Sequence, residues 1–399
     1  MLTYISVIKE KVQQFFSRPF FTDQRTLFWL WMALPVIAAV TKVHHHNNFL
    51  IFRQVFWHTI GQTSLYAAYP DQYYDFNYYG PVFSLIVAPF AVLPEWLGLL
   101  AWLLFLSASL YLALRYIPID CRKRTFIYWF CAHELLTALF MSQFNVITAA
   151  TIVGAFYFII NAKDRWAALL IVLGTMVKLY SIVALAFFIF SRHKLKLMSW
   201  LALWTAVAFV LPMCISSPHF IISQYGEWAE HLLLKNDMNL FALHQNISLL
   251  GIIRKVSGCA TYPDFWIIIA GLCLFAIPYL RLKQYRNLAF QYALLASTLM
   301  FTVLFSTGSE SSSYIIALVG VAIWYWTAPW KRSRIDIALM VFTFIITSMS
   351  PSDLFPSYLR THYIQPYALK ALPVTIIWLK LTYELATRQY SSAIQQHPQ

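Results

Sequence analysis

Apolar stretches close to the roughly 20 residues that a helix needs to cross the hydrocarbon core recur along almost the whole chain. Short groups of charged residues, Pro or Asn separate them. Because lipid offers no water to satisfy open backbone groups, these stretches predict helices. About twelve spans are predicted with a window of about 19 residues. They lie near 27–43, 81–93, 96–116, 125–141, 144–160, 166–190, 197–215, 264–280, 289–306, 312–329, 335–350 and 366–386.

Basic residues in short loops predict the orientation, because such loops tend to stay in the cytoplasm. Three clusters fall on the same side as the N-terminus: Arg192, Lys194 and Lys196; Arg281, Lys283 and Arg286; Lys331, Arg332 and Arg334. We therefore predict a multi-pass protein of the cell (inner) membrane with both termini cytoplasmic. Arg122, Lys123 and Arg124 fall on the outer side. Either that loop binds anionic lipid of the outer leaflet, or the spans between 116 and 166 are miscounted.

The predicted orientation places the larger loops outside. We expect a single membrane domain over residues 1–399, with a cytoplasmic interfacial helix at 1–26 and outer loops at 44–80, 216–263 and 350–365. The cytoplasmic connections are short, so any chemistry is expected on the outer side.

Composition excludes a water-soluble fold. Of the 399 residues, 60% are hydrophobic and 11% are charged, whereas an ordinary soluble domain has about 25% charged residues. The net charge of +13 is concentrated between apolar stretches, so membrane lipids and lipid phosphates are expected as partners and nucleic acid is not. The five cysteines lack metal-ligand spacing, which argues against a disulfide framework and a zinc site.

The first outer loop predicts an amphipathic interfacial helix, because Phe49, Phe52, Val55, Phe56 and Ile60 recur at helical spacing. Its polar side carries Asn48, Arg53 and His58. A segment rich in tyrosine follows, with Asp71 and Asp75. The tyrosines, Tyr66 and Tyr79 among them, form either an aromatic belt at the membrane interface or part of a sugar site. The run His44–His46 offers little for a metal, since sequence neighbours do not share a helix face.

Three segments together resemble glycosyltransferase family 87, which uses polyprenyl-phosphate sugars and belongs to the GT-C superfamily. The first is SLYAAYPDQYYDFNYYGPVFSLIVAPFAVLP, residues 64–94, which follows the predicted interfacial helix. The second is SQFNVITAATIVGAFYFI with the later GTMVKLYSIVAL, similar to the family's "GQxN, then glycine-and-lysine helix" element. The third is HQNISLLGIIRK, residues 244–255, similar to "NQS-L-G-x-x-R". They occur in the family's order.

The resemblance implies an all-α, GT-C-type bundle and a hexosyl or pentosyl transferase of the cell envelope. In that reaction a sugar, with mannose as the expectation, passes with inversion from a polyprenyl phosphate to a lipid or glycan acceptor. No cytoplasmic Asp-x-Asp on a soluble domain and no Gly-rich phosphate loop is evident. We therefore expect no nucleotide-sugar donor, no cofactor and no obligatory metal.

The departing lipid phosphate needs cationic groups, because its charge rises in the transition state. The candidates are Arg53 and Arg254, the latter matching the family's arginine, although either could instead reach outer-leaflet headgroups. Lys178 is predicted at mid-span, where it contacts a lipid phosphate or only helix carbonyls. Gln245, Asn246 and Ser248 could bind sugar or phosphate, or cap a helix starting near Ile247.

The attacking hydroxyl benefits from a carboxylate base. Family members usually carry Asp at the position matched here by Asn48, whose amide cannot accept the proton, although it could orient a substrate. Glu310, within STGSESSSYII, is our first candidate base and Asp75 the second. Glu310 could alternatively cap a helix start in its Ser-rich turn.

Two other classes compete with this interpretation. About twelve spans also suit a transporter, although the expected two similar halves are not evident. A catalytically inactive relative that binds polyprenyl phosphate is the other alternative, and the amide at Asn48 keeps it open.

Overall fold

The computed structural model describes residues 18–259, 261 and 263–390, and every regular element in this part of the chain is helical. The predicted all-α class is therefore confirmed. Most of the predicted helix at 1–26 lies outside the described residues. The main helices are α1 (Gln24–Lys42), α2 (Asn47–Gly61), α3 (Phe83–Ala91), α4 (Glu95–Tyr116), α5 (Cys121–Phe140), α6 (Asn145–Ile160), α7 (Asp164–Val177), α8 (Lys194–Val210), α9 (Pro218–Asn239), α10 (Leu249–Ser257), α11 (Phe265–Ala276), α12 (Leu288–Leu304), α13 (Tyr314–Thr327), α14 (Arg334–Phe342) and α15 (Leu372–Thr387).

Shorter helical segments complete the described fold. They are Pro19–Thr22, the 3₁₀ segments Leu179–Phe190, Leu211–Cys214, Ile277–Leu280, Leu282–Gln284, Ser311–Ser313 and Leu369–Ala371, the turn Ser357–Leu359, and the π-helical segments Thr343–Met349 and Arg360–Ile364. The polar residues between apolar stretches start several helices. The side chain of Asp23, for example, accepts from the backbone N–H of Arg25 at the start of α1.

Three of the described helices are long and apolar enough to cross a bilayer, namely α1, α4 and the continuous segment Lys194–Cys214. Five shorter apolar helices accompany them. The protein thus has the features of a membrane protein, while the count of about twelve spans stays a prediction.

The basic connections between helices lie at one end of the bundle, which we call the basic end. Its contacts join four connections that are distant in sequence. The ring of Phe126 lies 4.9 Å from that of Trp326, and the rings of Phe190 and Tyr285 are 5.7 Å apart. The hydroxyl of Tyr292 donates to the carbonyl of Pro118 at 2.8 Å. The Arg122–Arg124, Arg192–Lys196, Arg281–Arg286 and Lys331–Arg334 clusters therefore lie at the same end.

The span predicted at 81–93 is wrong, because both ends of this segment lie near the first large loop. At its start, the N–H of Gly80 donates to the carbonyl of Val177. At its end, Arg53 of α2 donates to the carbonyl of Ala91 at 3.0 Å. The helix α3 between them has 9 residues, about 14 Å at 1.5 Å per residue, which is too short to cross. The segment 81–93 therefore begins and ends at the same end of the bundle, the one opposite the basic connections.

The single span predicted at 166–190 is also wrong, because it forms two antiparallel segments. The helix α7 ends at Val177, Lys178 is extended (φ −145°, ψ 117°), and a 3₁₀ helix returns over Leu179–Phe190. The hydroxyl of Ser191 donates to the Asp164 carboxylate at 2.9 Å. This bond joins the two open ends of the hairpin, opposite its tip. Lys178 therefore lies at the tip of a hairpin and not in the middle of a span.

These two errors offset each other and account for the basic cluster that disagreed with the predicted orientation. Because α3 turns back, α4 runs towards the basic end, and the next loop joins the other basic connections. There Arg124 donates to the carbonyl of Ile119 at 2.8 Å. The misassigned segments lie before and after residues 116–166, not within them.

The first two large loops pack together at the other end of the bundle. The predicted amphipathic helix of the first loop is present as α2, which buries Phe49, Phe52, Val55 and Phe56. The backbone N–H of Leu65 donates to the side chain of Gln224 on α9 at 2.7 Å. The second loop also pairs with the connection before α13, since the N–H of Ile247 donates to the carbonyl of Ser309 at 2.8 Å. These contacts enclose the cavity described next.

Candidate functional site

A cavity of about 480 Å³ opens at the loop end of the bundle. It lies between α2, α9, the Tyr-rich segment and three turns that connect bundle helices. Its polar and aromatic lining consists of Asn48, Phe52, Asp75, Phe76, Asn77, Tyr78, Tyr79, Gln143, Lys178, Tyr180, Trp228, Lys235, Asn236, Asn239, His244, Gln245, Ser306, Thr307 and Glu310. Helix α9 lines it with residues spaced at three or four positions, from Trp228 to Asn239, as one face of a helix requires.

A chain of hydrogen bonds connects Glu310 with Lys178 across the floor of this cavity. The amide of Gln143 donates to the Glu310 carboxylate at 2.8 Å. The Asn145 amide donates to the side-chain oxygen of Gln143 at 3.1 Å and accepts from the Lys178 ammonium at 2.7 Å. The segment Ser142–Asn145 thereby holds a carboxylate and an ammonium group, and both line the same cavity.

Glu310 precedes the short 3₁₀ helix Ser311–Ser313, and its own N–H donates to the Ser313 hydroxyl at 3.2 Å. The alternative interpretation of Glu310 as a helix-start residue is therefore correct for its position, while its carboxylate lines the cavity. Desolvation by burial raises the pKa of Glu310, and the Lys178 charge and the Gln143 hydrogen bond oppose that rise. A carboxylate with a raised pKa is a better proton acceptor near neutral pH.

Two further candidates for catalysis also line the cavity. The amide of Asn48 donates to the carbonyl of Met141 at 2.7 Å. Asp75 is exposed, has a positive φ of 73°, and accepts from the N–H of Phe76. The structure thus brings together Asn48, Asp75 and Glu310.

A family model for glycosyltransferase family 87 matches residues 77–307, which is more than half of the chain. The chain belongs to glycosyltransferase family 87. The predicted resemblance is thus confirmed, and the protein is a membrane glycosyltransferase. No curated protein matches the sequence. The match covers Gln143, Lys178 and the loop before α10, and it ends shortly before Glu310.

Within this family 87 chain, four predicted binding residues lie at or directly behind the cavity. Tyr79, Lys178 and Gln245 line it. The Lys178 ammonium lies 4.8 Å from the centre of the Tyr180 ring and 5.8 Å from that of Tyr79. Tyr66 lies behind this surface, where it is fully buried and its hydroxyl donates to the carbonyl of Tyr79 at 2.9 Å.

The other predicted binding residues do not line the cavity. Arg53 bonds to the carbonyls of Ala91 and Leu93, and Arg254 forms a buried ion pair with Asp264 at 2.9 Å. The imidazole of His58 donates to the side-chain oxygen of Gln72 at 2.9 Å, and burial lowers the pKa of this imidazole. Asn246 and Ser248 bond to each other, and the Ser248 hydroxyl accepts from the N–H of Gly251. Ser248 therefore caps the start of α10, and this helix starts at Leu249, not near Ile247.

Sequence reasoning did not single out three residues of this site. Gln143 and Asn145 were visible only as part of the SQFN segment, whose resemblance to the family's "GQxN" was the available signal. Lys235 of α9 lines the cavity with its ammonium 4.3 Å from the centre of the Tyr78 ring. Its only signal was its place three residues after Leu232 and seven residues after Trp228, on one helix face.

Proposed function

We propose that the protein transfers a sugar, with mannose as the first candidate, from a polyprenyl phosphate to a lipid or glycan acceptor within this cavity, with inversion. The observation that carries the proposal is the pair formed by Glu310 and Lys178. A carboxylate and a cation, linked through Gln143 and Asn145, line one cavity at the loop end of the bundle. Acceptor activation and phosphate departure require these two kinds of group.

The basic end supports an extracytoplasmic site. Four clusters of Lys and Arg lie at the end of the bundle away from the cavity, and such clusters tend to remain cytoplasmic. On this orientation the cavity faces the extracytoplasmic side of the cell membrane. A polyprenyl-phosphate sugar presented there would reach the cavity from the outer leaflet.

The phosphate is assigned to Lys178 and Lys235. Both ammonium groups belong to residues that line the cavity, whereas Arg53 and Arg254 are engaged elsewhere. Positive charge at this position stabilises the lipid phosphate as it leaves with the bonding electron pair. Lys178 is held by a neutral amide, so its charge is available to an anion.

A second, apolar cavity of about 390 Å³ supports a lipid substrate. It is lined mainly by apolar side chains of α4, α6 and α7, and by Phe144. The N–H of Phe144 lies 3.5 Å from the hydroxyl of Tyr79, which lines the polar cavity. A prenyl chain in this apolar space would place its phosphate close to Lys178.

Glu310 acts as the general base. Its ionised carboxylate takes the proton from the acceptor hydroxyl while that oxygen bonds to the anomeric carbon from the face opposite the phosphate. The bond between the anomeric carbon and the phosphate oxygen breaks, which releases the polyprenyl phosphate. Asn48 orients a sugar hydroxyl through its side-chain oxygen. Asp75 is the second candidate base.

The test is transfer by the purified protein in lipid nanodiscs, with radiolabelled polyprenyl-phosphate mannose and membrane lipids as acceptor. We expect Glu310→Gln to lower kcat by about 10²- to 10⁴-fold, the usual contribution of a general base. The matched control is Asp353→Asn, since Asp353 is a solvent-exposed carboxylate paired with Arg360 outside the cavity. Full activity of Glu310→Gln would remove Glu310 from the role of base.

The same assay separates two alternatives. The first is a catalytically inactive relative, which Asn48 in place of the family's expected aspartate keeps open and which would bind the labelled donor without transfer. A transporter would move a labelled solute across proteoliposomes without forming a glycosidic product.

A further inference from the structure

A buried ion pair lies directly behind the turn that carries Glu310. The Glu134 carboxylate on α5 and the Lys370 ammonium before α15 are 2.8 Å apart, and both side chains are almost completely inaccessible to solvent. Neither residue lines the cavity. Both lie in apolar stretches predicted to span the membrane, where ionisable groups are rare and usually functional.

The Lys370 ammonium has three hydrogen-bond partners, which matches its three donors. It donates to Glu134, to the carbonyl of Ser311 at 2.9 Å and to the hydroxyl of Ser311 at 2.9 Å. Ser311 directly follows Glu310 and starts the 3₁₀ helix Ser311–Ser313. Its carbonyl also accepts from the N–H of Tyr314. The ion pair is therefore bonded to the backbone next to the carboxylate of the site.

The opposite side of the same turn is held by Asn145. Its amide lies 3.0 Å from the hydroxyl of Ser312 and 3.3 Å from that of Ser313. The turn thus lies between Asn145 and the Lys370–Glu134 pair, and its conformation sets where the Glu310 carboxylate points.

We propose that Glu134 and Lys370 are positioning residues, which fix the Ser311–Ser313 turn so that the Glu310 carboxylate faces the acceptor hydroxyl. This inference rests on the proposed role of Glu310 as the base. A contribution to folding stability would not by itself explain why an ion pair is buried at this position. Replacing a buried ion pair by apolar residues of similar size is often neutral or stabilising, because desolvation offsets the attraction.

The experiment replaces both members at once, Glu134→Met together with Lys370→Met, so that no unpaired charge stays buried. The matched control is Arg332→Met with Glu384→Gln. That pair is also buried, with 3.2 Å between its charged atoms, but it lies at the basic end. Both double variants are expected to keep thermal unfolding temperatures near that of the unmodified protein, measured in the same detergent.

At equal stability, we expect the Glu134–Lys370 variant to lose about 10- to 100-fold in kcat, with KM for the donor within about twofold. Misplacing a reacting group by about 1 Å has an effect of this size. The control pair should change kcat by less than about twofold. Equal losses in both variants, or no loss of kcat in the first while Glu310→Gln is inactive, would overturn the positioning role.

A second measurement does not depend on sugar transfer. Hydrogen–deuterium exchange of a peptide covering residues 307–316 should be faster in the Glu134–Lys370 variant and unchanged in the control, because only the first loses the bonds to Ser311. Unchanged exchange in both would refute the positioning role whatever the activity. If Glu310→Gln were fully active and exchange were faster in the Glu134–Lys370 variant, the ion pair would position the turn but Glu310 would not be the base.

Discussion

Lys178→Met is the substitution that most directly tests the electrostatic arrangement of the cavity. Methionine keeps much of the side-chain length and removes the charge. The Lys178 ammonium bonds to Asn145 Oδ1 at 2.7 Å and lines the cavity beside Tyr180. In the proposed reaction it also bonds to the lipid phosphate as negative charge develops there.

A hydrogen bond to a charged group contributes about 1.5–3 kcal/mol. Since about 1.4 kcal/mol corresponds to a tenfold change, kcat/KM for the lipid donor should fall by about 10- to 150-fold. Asn145 keeps its contacts with Ser312 and Ser313, so the loss should not come from collapse of the floor of the cavity.

The same substitution should also change the pH dependence. The positive charge of Lys178 lowers the pKa of Glu310, against the rise caused by burial. Without it that pKa rises further, and the carboxylate stays protonated, and inactive as a base, up to a higher pH. The acidic limb of the kcat/KM profile should therefore move to higher pH in Lys178→Met.

The assay measures initial transfer rates in nanodiscs over a range of donor concentration and pH. Lys283→Met, at an exposed lysine of the basic end, is the charge-matched control and should leave both quantities unchanged. Arg53→Met should lower stability more than donor recognition, because Arg53 bonds to Ala91 and Leu93. An unchanged kcat/KM and an unmoved acidic limb in Lys178→Met would refute the assignment of this cation.

Two further predictions concern the loops that enclose the cavity. Ser248→Ala should lower the stability by about 0.5–2 kcal/mol through loss of the cap on Gly251, measured by thermal unfolding, and an unchanged unfolding temperature would contradict it. Gly80→Ala should unfold at a lower temperature, because an added methyl group would overlap the carbonyl of Met176 where α3 meets the Lys178 hairpin. Its control, Gly226→Ala within α9, meets open space and should be neutral or stabilising by up to about 1 kcal/mol; equal destabilisation of both would show that the close approach at Gly80 is not the cause.

The sequence predicted many of the chemical groups of the site, but not which residues contact them. Asn48, Asp75 and Glu310 were singled out from motif position and charge, and they share one cavity. Arg53 and Arg254 were chosen by the same reasoning. Their carbonyl and carboxylate partners, Ala91, Leu93 and Asp264, are set by how α2, α3 and the second loop pack. The sequence has no signal for those partners, because they are unremarkable residues in other segments.

The sequence by itself determined that this chain is all-helical, apolar enough for a membrane, and a member of glycosyltransferase family 87. Composition, apolar stretches and ordered motifs are local properties, so they can be read without coordinates. Only the tertiary structure decided that 81–93 turns back and that 166–190 folds into a hairpin with Lys178 at its tip. An apolar stretch is compatible with the lipid whether it crosses the membrane or turns back within it. The choice depends on packing and on hydrogen bonds between residues distant in sequence, here Arg53 with Ala91 and Ser191 with Asp164.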